Sequence, residues 1–269
     1  MKISISALSI AYGLTPEALR YYEEKGLLSP ERTAASGFRK FSISDVQVLG
    51  IIKSLQRQGF SLDEIKRVLK TGVTLEELLA MMDEKRSQLR EQVSLSSAIL
   101  ARLTACTDLL RDSERLLEKP RLCAGTAAYL IDFDSVPALW KSVPNTPLLK
   151  DLIEALPLTS YCTIVPLARL SGQDVPTRVG VCAPVEYAAL IPADFSKMRM
   201  SAGPRSVRLL FDLTPPQRTS IAPVLSRMQA FLRENGLTPT SEGYTIQFSW
   251  QVNEHGQQRQ FSELIVPIL

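Results

Sequence analysis

The stretch that decides the fold of this chain is Ala18-Leu19-Arg20-Tyr21-Tyr22-Glu23-Glu24-Lys25-Gly26-Leu27-Leu28-Ser29-Pro30. Thr15 can cap a helix just before it, and Pro16 suits the first helical position, where a missing N–H costs nothing. Gly26 marks the end of that helix. A short apolar segment and the turn at residues 12–14 come before it. Two short helices joined by a tight turn indicate a helix-turn-helix.

A loop centred on Gly37 follows, from Ser29 to Phe41, and holds Arg32, Arg39 and Lys40. Short extended arms tipped with Arg and Lys are typical of a wing that rests on phosphates. A plain surface loop fits the same residues, so both interpretations stay open. Three capping boxes, at residues 44–47, 61–64 and 74–77, predict the starts of the next three helices.

These motifs resemble the signatures of the MerR family of transcription regulators. The resemblance includes residues 18–30, the wing segment Gly37–Ser42 and the segment Gly59–Ile65, and it spans residues 1–72 almost without a gap. It implies a winged helix-turn-helix that binds double-stranded promoter DNA. By position, the residues that match the family's recognition helix and wing, and that we predict to bind DNA, are Thr15, Glu17, Ala18, Arg20, Tyr21, Tyr22, Arg39 and Lys40.

Two details of this head bear on what it binds. A helix cannot point Tyr21 and Tyr22 to the same side, so we expect one in the core and one on DNA. Glu17 and Ala18 stand where family members often carry Arg and Ser or Thr. A carboxylate there can accept from cytosine N4 but repels phosphates, so the preferred DNA sequence should differ from that of relatives. The wing also looks one residue longer, through residues 34–36.

From Leu75 to about Glu118 the sequence contains no Gly and no Pro. An imperfect heptad repeat with a second seam runs through this segment; its members are Met82, Leu89, Ser96, Leu103, Leu110, Leu117, Ile99 and Cys106. The repeat predicts a long helix that pairs with a second copy as an antiparallel coiled coil, which the MerR resemblance also implies.

Beyond Pro120 we expect a short linker over residues 119–125 and then alternating strands and helices. Strands are predicted near residues 126–133, 162–168, 178–182, 187–191 and 205–211, helices near 148–156 and 217–234, and two strands close the chain. The succession strand–helix–strand–strand occurs twice, which suggests a duplicated βαββ unit. The closing strand, residues 261–268, resembles that of the gyrase-inhibitor-like effector domain found in drug-sensing MerR regulators.

That second resemblance implies a cleft for lipophilic, often cationic molecules. The chain offers aromatic rings and carboxylates for such a ligand, and the candidates are Tyr129, Trp140, Tyr161, Glu186, Tyr187, Phe248, Trp250 and Glu263. Each has an alternative interpretation. Phe248 and Trp250 can be core residues, and Glu263 can pair with Arg205, Arg208 or Arg259 instead of a ligand.

Composition limits the other function classes. The positive excess lies in the head, where residues 1–74 hold 11 Lys and Arg against 7 Asp and Glu. The cysteines Cys106, Cys123, Cys162 and Cys182 show no metal-ligand spacing, and His255 is the single histidine, so we expect no metal and no cofactor. No uninterrupted apolar run approaches the length of a membrane span and no signal peptide is evident, so a cytoplasmic protein is expected.

The sequence therefore predicts a multidomain chain of α and α+β units. It comprises a winged helix-turn-helix at 1–72, a dimerisation helix at 74–118, a linker, and a duplicated βαββ effector domain at 126–269. We expect a homodimeric, non-enzymatic regulator, mostly an activator, that distorts a promoter with an overlong spacer for RNA polymerase when a small lipophilic effector binds. The alternatives are a metal or redox switch through Cys106 or Cys123, and an effector domain that binds a protein.

Overall fold

The computed structural model describes residues 2–32, 37–213, 221–252, 256 and 258–269, without the side chains of residues 248–251 and 258. The chain divides into two compact units, Met1–Val93 and Ser94–Leu269. The first unit contains β1 (Ile3–Ser4), α1 (Ile5–Tyr12), α2 (Pro16–Glu24), β2 (Glu31–Arg32), β3 (Arg39–Phe41), α3 (Ile43–Arg57), α4 (Leu62–Lys66), a π-helical turn (Arg67–Thr71) and the first part of α5 (Leu75–Arg111).

The second unit begins within α5. It contains α6 (Ser113–Leu116), β4 (Arg121–Phe133), α7 (Val136–Ser142), α8 (Pro147–Glu154), β5 (Ser160–Val165), α9 (Leu167–Leu170), β6 (Arg178–Pro184), β7 (Arg199–Leu213), α10 (Ala222–Glu234), β8 (Gly243–Val252) and β9 (Gln258–Ile268). Short 3-10 helices lie at Val143–Asn145, Val185–Leu190 and Phe195–Lys197.

The head is a winged helix-turn-helix, as predicted. Helices α1 and α2 meet at Gly13, whose left-handed backbone (φ 60°) ends α1. The Thr15 hydroxyl accepts from the N–H of Ala18 and caps α2, with Pro16 in its first turn. Strands β1, β3 and β2 form a small sheet beside the helices. The buried side chains of the head's core are Leu8, Leu19, Tyr22, Leu27, Leu28, Phe41, Leu49, Ile52, Phe60 and Ile65.

Two of the three predicted capping boxes are confirmed, at Ser61 with Glu64 and at Thr74 with Glu77. The third lies two residues earlier than predicted. Ser42, and not Ser44, caps α3, because Asp45 reaches back to the Ser42 N–H and Oγ, both at 2.8 Å. The wing residues 34–36 lie outside the described part of the chain.

Asp45 also joins the two halves of the head. Its Oδ1 accepts from the backbone N–H of Ser29, just after the recognition helix, while Oδ2 caps α3. Burial opposes ionisation of this carboxyl, but the N–H groups of Ser29 and Ser42, the Ser42 hydroxyl and the charge of Lys70 outweigh it. The pKa of Asp45 therefore lies below its usual value.

The predicted long helix is present as α5, and Lys85 on it pairs with Glu64 of α4 at 3.0 Å. The predicted linker is wrong. Helix α6 ends at Leu116, and β4 begins at Arg121, five residues before the predicted start at residue 126. Residues 121–124 pair with 208–205 of β7, and this ladder satisfies their backbone hydrogen bonds. Four residues, 117–120, connect the helix to the ladder, and Leu117 among them already forms a bridge with Leu210.

The second unit is a closed antiparallel barrel in the order β4-β6-β5-β8-β9-β7. Alternate residues point inward, and the buried inward set is Ala128, Leu130, Cys162, Ile164, Cys182, Tyr244 and Ile265. Two outer faces are covered by helices: α8 packs on β6, and α10 packs on β7 and β9. Each helix follows the first strand of a strand–helix–strand–strand set, so the duplicated βαββ architecture is confirmed.

The six seams of the barrel differ in length. Strand β4 pairs with β7 over most of its length, whereas β5 and β8 share backbone pairing only at Ile164–Tyr244 and Val165–Gly243. Side chains continue this short seam: the Thr245 hydroxyl accepts from the N–H of Thr163 at 2.8 Å, and the Ser160 hydroxyl donates to the carbonyl of Gln247 at 3.1 Å.

Two strand predictions need correction. Residues 187–191 are not a strand, because the 3-10 helix Val185–Leu190 lies between Pro184 and Pro192, and neither proline can donate to a ladder. Strand β7 begins at Arg199, six residues before the predicted start at residue 205. The added part of β7 includes Gly203 and Pro204, and Gly125 of β4 lies beside them, where an added Cβ would come within 2.8 Å of both carbonyl oxygens.

Replacing Asp45 by Asn should destabilise the head by about 1–3 kcal/mol at pH 7, because the charge-assisted bonds to Ser29 and Ser42 are weakened. Since the folded pKa is lowered, this stabilisation is complete above the unfolded value of about 4. It is lost as the pH falls through the folded value. The measurement is hydrogen–deuterium exchange of the α3 amides in the full chain, with wild type and variant compared at each pH.

Asp63→Asn is the matched control, because Asp63 is an exposed carboxylate in the first turn of α4. Its effect should be small at every pH. A loss for Asp45→Asn that is as large at pH 3 as at pH 7 would contradict the role assigned to the Asp45 charge.

Candidate functional site

Helix α2 presents a polar face to solvent at its N-terminal end. The side chain of Arg20 is 49% exposed and lies 3.4 Å from the Glu17 carboxylate, one turn earlier on the helix. Ala18 lies within the first turn, and its N–H is held by Thr15. The unusual Glu17 therefore shares the exposed end of the helix with Arg20 and partly offsets its charge.

The two adjacent tyrosines of α2 point in different directions, as expected. Tyr22 is buried in the head's core, where its hydroxyl donates to Gln56 Oε1 at 3.1 Å. Its predicted contact with DNA is therefore wrong. Tyr21 is exposed, and the ammonium of Lys25 lies 5.4 Å from its ring centre. Tyr21 stays a predicted DNA contact.

The wing strands lie beside this helix. Arg39 of β3 is bonded to Glu23 of α2 through Nε, and Arg32 of β2 approaches the other oxygen of Glu23 at 3.4 Å. Arg39 therefore fixes the wing to the recognition helix, in addition to its predicted role on DNA. Lys40 is half-buried and pairs across the sheet with Ser4 and Glu31.

A cavity of about 800 Å³ lies within the second unit. One side is formed by α5 and the others by the barrel strands and the 3-10 helix after β6. The lining residues are Arg102, Ala105, Cys106, Leu109, Gly125, Thr126, Ala127, Pro184, Val185, Glu186, Tyr187, Ala202, Gly203, Arg208, Tyr244, Ile246, Glu263 and Ile265. Predicted ligand residues Glu186, Tyr187 and Glu263 are brought together here.

Glu263 lies on the inward face of β9, and its side chain is only 5% exposed. Oε1 is bonded to Nη2 of Arg121, and Oε2 lies 3.6 Å from Nη1 of Arg208. Nearby, the buried Tyr244 hydroxyl shares a 2.9 Å hydrogen bond with Thr126 Oγ1. Desolvation raises the pKa of Tyr244 well above its usual value, so this hydroxyl stays neutral.

Trp140 and Tyr161 line a separate cavity of about 390 Å³, with ring centres 6.0 Å apart. A further cavity of about 400 Å³ shares Tyr161 with it and shares Arg102 and Cys106 with the large one. Tyr129 lines none of these three, because it packs against Phe195 in the core under α8, with ring centres 4.6 Å apart. The side chains of Phe248 and Trp250 lie outside the described part of the structure.

Several cavity residues were not among the predicted ligand contacts. Arg208 was expected only as a partner for Glu263, Cys106 was assigned to the helix seam, and Arg102 was given no role. Arg121 is not a lining residue but binds Glu263, and this pairing was not expected because 142 positions separate the two residues. The sequence did contain a signal for two other lining residues. Tyr244 and Ile246 are two positions apart on β8, so they lie on the same face of the strand, and both point into the barrel.

Comparisons with known proteins identify the family. The model "MerR HTH family regulatory protein" matches residues 3–72, and the model "MerR, DNA binding" matches residues 46–106. The mercuric resistance operon regulatory protein of Pseudomonas fluorescens is 34% identical over 105 residues, which cover 38% of this chain and 70% of that protein. The chain belongs to the MerR family. It is a DNA-binding transcription regulator and not an enzyme.

The chain is less similar to solved structures than to these sequences. A MerR-family regulator from Bacillus cereus is 29% identical, with a TM-score of 0.38, over 43% of this chain and 87% of that one. The EcmrR–DNA complex is 15% identical, with a TM-score of 0.37, over 99% of both chains. TM-scores of this size do not establish a shared fold, so the membership of this MerR regulator rests on its N-terminal 106 residues.

Helix α5 has one property that the sequence reading did not anticipate. An 18-residue window within it has a mean hydropathy of 1.3, enough by length and composition to cross a membrane, and only 6% of that window is buried. The family's DNA-binding model extends to residue 106 and so includes most of this helix. The helix is therefore part of the regulator's own architecture and is not a membrane span.

Among the described residues, no group of three or more His, Cys, Asp or Glu side chains could hold a metal ion. His255 lies outside those residues. Cys106 lines the large cavity, and burial raises the pKa of its thiol, with the charge of Arg102 acting in the opposite direction.

Replacing Arg20 by Ala should weaken binding to a promoter fragment selected from random DNA by the wild-type protein. Loss of one phosphate contact should reduce the slope of log K against log salt by about 0.9. Fluorescence anisotropy at several salt concentrations measures both quantities. Arg86→Ala is the matched control, because Arg86 is an exposed arginine that pairs with a carboxylate three residues earlier, as Arg20 does. Equal losses for the two variants would contradict a DNA contact by Arg20.

Proposed function

We propose that this MerR-family protein is a ligand-responsive regulator whose effector binds in the large cavity of the second unit. One observation carries the proposal: the cavity is lined jointly by the barrel and by Arg102, Ala105, Cys106 and Leu109 of α5. A molecule in this cavity contacts the helix whose earlier residues belong to the family's DNA-binding segment. Effector binding can therefore bias the conformation of the helix that leads to the head.

The exposed face of α5 supports a homodimer. Nine large apolar side chains on this helix are exposed in the single chain, namely Leu75, Leu79, Met82, Leu89, Val93, Leu95, Ile99, Leu100 and Leu103. Four of them, at positions 82, 89, 99 and 103, were predicted as seam residues. Such a row is costly in water and is covered when a second copy of α5 packs on it. We propose this antiparallel pairing, in a cytoplasmic protein.

The mode of action we propose is activation by promoter distortion. Bound to effector, the dimer bends and untwists a promoter with an overlong spacer so that RNA polymerase engages both elements. The effector must bind the distorting conformation more tightly than the passive one, since equal affinity shifts nothing.

The chemistry of the cavity favours a small molecule with an apolar body. Leu109, Val185, Ile246 and Ile265 supply apolar surface, and the Tyr187 ring lies at the mouth. We therefore propose, as the sequence predicted, that the effector is lipophilic. The charge of the effector depends on what surrounds Glu263.

The alternative of a metal or redox switch is disfavoured by Cys106 itself. Its raised pKa keeps it as a thiol, which is a weaker metal ligand and nucleophile than a thiolate. Cys106→Ser replaces a thiol of the cavity wall by a hydroxyl, so under our proposal it shifts the effector's affinity and retains the response, whereas under the alternative it abolishes the response.

Filling the cavity tests the proposal. Ala105 is exposed on α5 and lines the cavity, so Ala105→Trp should fold and obstruct the site; Ala101→Trp makes the same change one turn earlier, away from the cavity. A library of lipophilic compounds is screened for stimulation of transcription from the selected promoter. We expect a compound that activates the wild type and Ala101→Trp but activates Ala105→Trp at least tenfold less. Equal activation of both variants, with equal promoter binding, would overturn the proposal.

A further inference from the structure

The charged side chains that line the large cavity are two arginines and two glutamates, Arg102, Arg208, Glu186 and Glu263. Glu263 is the only carboxylate there that is buried, and both of its oxygens face guanidinium groups, those of Arg121 and Arg208. One negative charge is thus shared by two positive ones. Glu186, the other carboxylate of the lining, is exposed at the mouth, where water solvates it.

Donors remain after this pairing. Nη1 of Arg121 is buried and has no hydrogen-bond partner among the described residues. Arg208 lines the cavity, and its contacts among the described residues are those of Nη1 with Glu263, at 3.6 Å, and of Nε with the Ser206 hydroxyl, at 3.4 Å. A guanidinium N–H that lacks an acceptor costs free energy, and an anionic group in the cavity beside Arg208 recovers that cost for this residue.

Arg102 adds a third cation from the opposite wall. It is half-buried on α5, lines the cavity, and forms no ion pair with any described residue. The charge of Arg102 lowers the pKa values of the Cys106 thiol and the Tyr187 hydroxyl, and the charge of Glu263 raises that of Cys106. Arg102 therefore lies close to the other groups that line the cavity. Arg102 and the Arg208–Glu263 pair therefore border the same space.

A lipophilic cation fits this arrangement poorly. To use Glu263 it must displace Arg121 or Arg208, which leaves a half-buried guanidinium without its carboxylate, and losing one partner of such a pair costs free energy. If it leaves the pair intact, it faces Arg102 and the spare donors of Arg208. An anion meets the opposite conditions, since it gains charge-assisted hydrogen bonds and disrupts no existing pair.

We propose that the effector is an organic anion: an apolar, ring-sized body with one acid group, a carboxylate or sulfonate, held between Arg102 and Arg208. This inference rests on the proposed function, which makes the cavity the effector site. It places the specificity for the acid group partly on Arg102, so the charge of the effector is sensed directly by the dimerisation helix.

The test uses two fluorescent probes that differ by a single group. 8-Anilinonaphthalene-1-sulfonate carries a sulfonate, and N-phenyl-1-naphthylamine is the same ring system without it. Titrated into the full-length protein at low salt, the sulfonate should bind about tenfold more tightly, the effect of one or two charge-assisted hydrogen bonds. Arg102→Met should remove most of this preference and leave the neutral probe's affinity unchanged. Arg111→Met, an exposed arginine on the same helix, is the matched control.

Three further comparisons separate the inference from the function on which it rests. Equal affinities for the two probes, both lost in Ala105→Trp but not in Ala101→Trp, would overturn the anion and keep the cavity as the effector site. Affinities for both probes that Ala105→Trp leaves unaltered would overturn the effector site itself. Tetraphenylphosphonium that binds more tightly than either probe, and loses that binding in Glu263→Gln, would make Glu263 a cation receptor and overturn the inference. Under our proposal Glu263→Gln binds the sulfonate at least as tightly as the wild type.

Discussion

A closed barrel sends every second side chain of every strand into its interior, and in this protein one of those inward side chains is the carboxylate of Glu263. An ionised carboxylate cannot stay in such a place without partners. Arg121 and Arg208 provide them, and through them β9 is tied to β4 and β7. The architecture of this end of the barrel follows from that requirement.

Arg121 can reach Glu263 only if β4 already runs alongside β7 at residue 121. No long linker therefore separates the helical segment from the barrel. Glu118, three residues earlier, donates its N–H to the carbonyl of Leu210 at 2.7 Å, and its carboxylate is bonded to Arg227 of α10. The end of the helical segment is thus built into the barrel, which is why residues of α5 form one wall of the cavity.

Local signals in the sequence were sufficient for the head. Capping residues, a glycine stop and the spacing of apolar side chains all act within a few residues, and they predicted the helices and the burial of one of the two residues Tyr21 and Tyr22. The location of the Ser42 cap was missed because both serines stand near an acidic residue. Geometry decides between them, not composition.

The barrel was less predictable because its contacts are distant in sequence. The duplicated order of strands and helices could be inferred from alternation, but not the closure, nor the early start of β4. The candidate ligand residues illustrate the same limit. Three of them meet in one cavity, two meet in another, and Tyr129 is on the opposite face of its strand from Leu130, in the core under α8. Residue type and spacing identified which aromatic and acidic side chains could bind a ligand. Whether each one points into the barrel or away from it depends on its position in the alternation along its strand.

The seam between β5 and β8 is the one with the fewest backbone pairs in the barrel. Only two positions are paired through the backbone there, and the hydroxyls of Ser160 and Thr245 complete the join. Exchanging such a hydroxyl bond for one to water costs about 1 kcal/mol, whereas parting any other seam breaks a longer ladder. Separating two strands of the barrel therefore costs least at this seam, and Ser160, Tyr161 and Gln247, which line the smaller cavities, lie beside it.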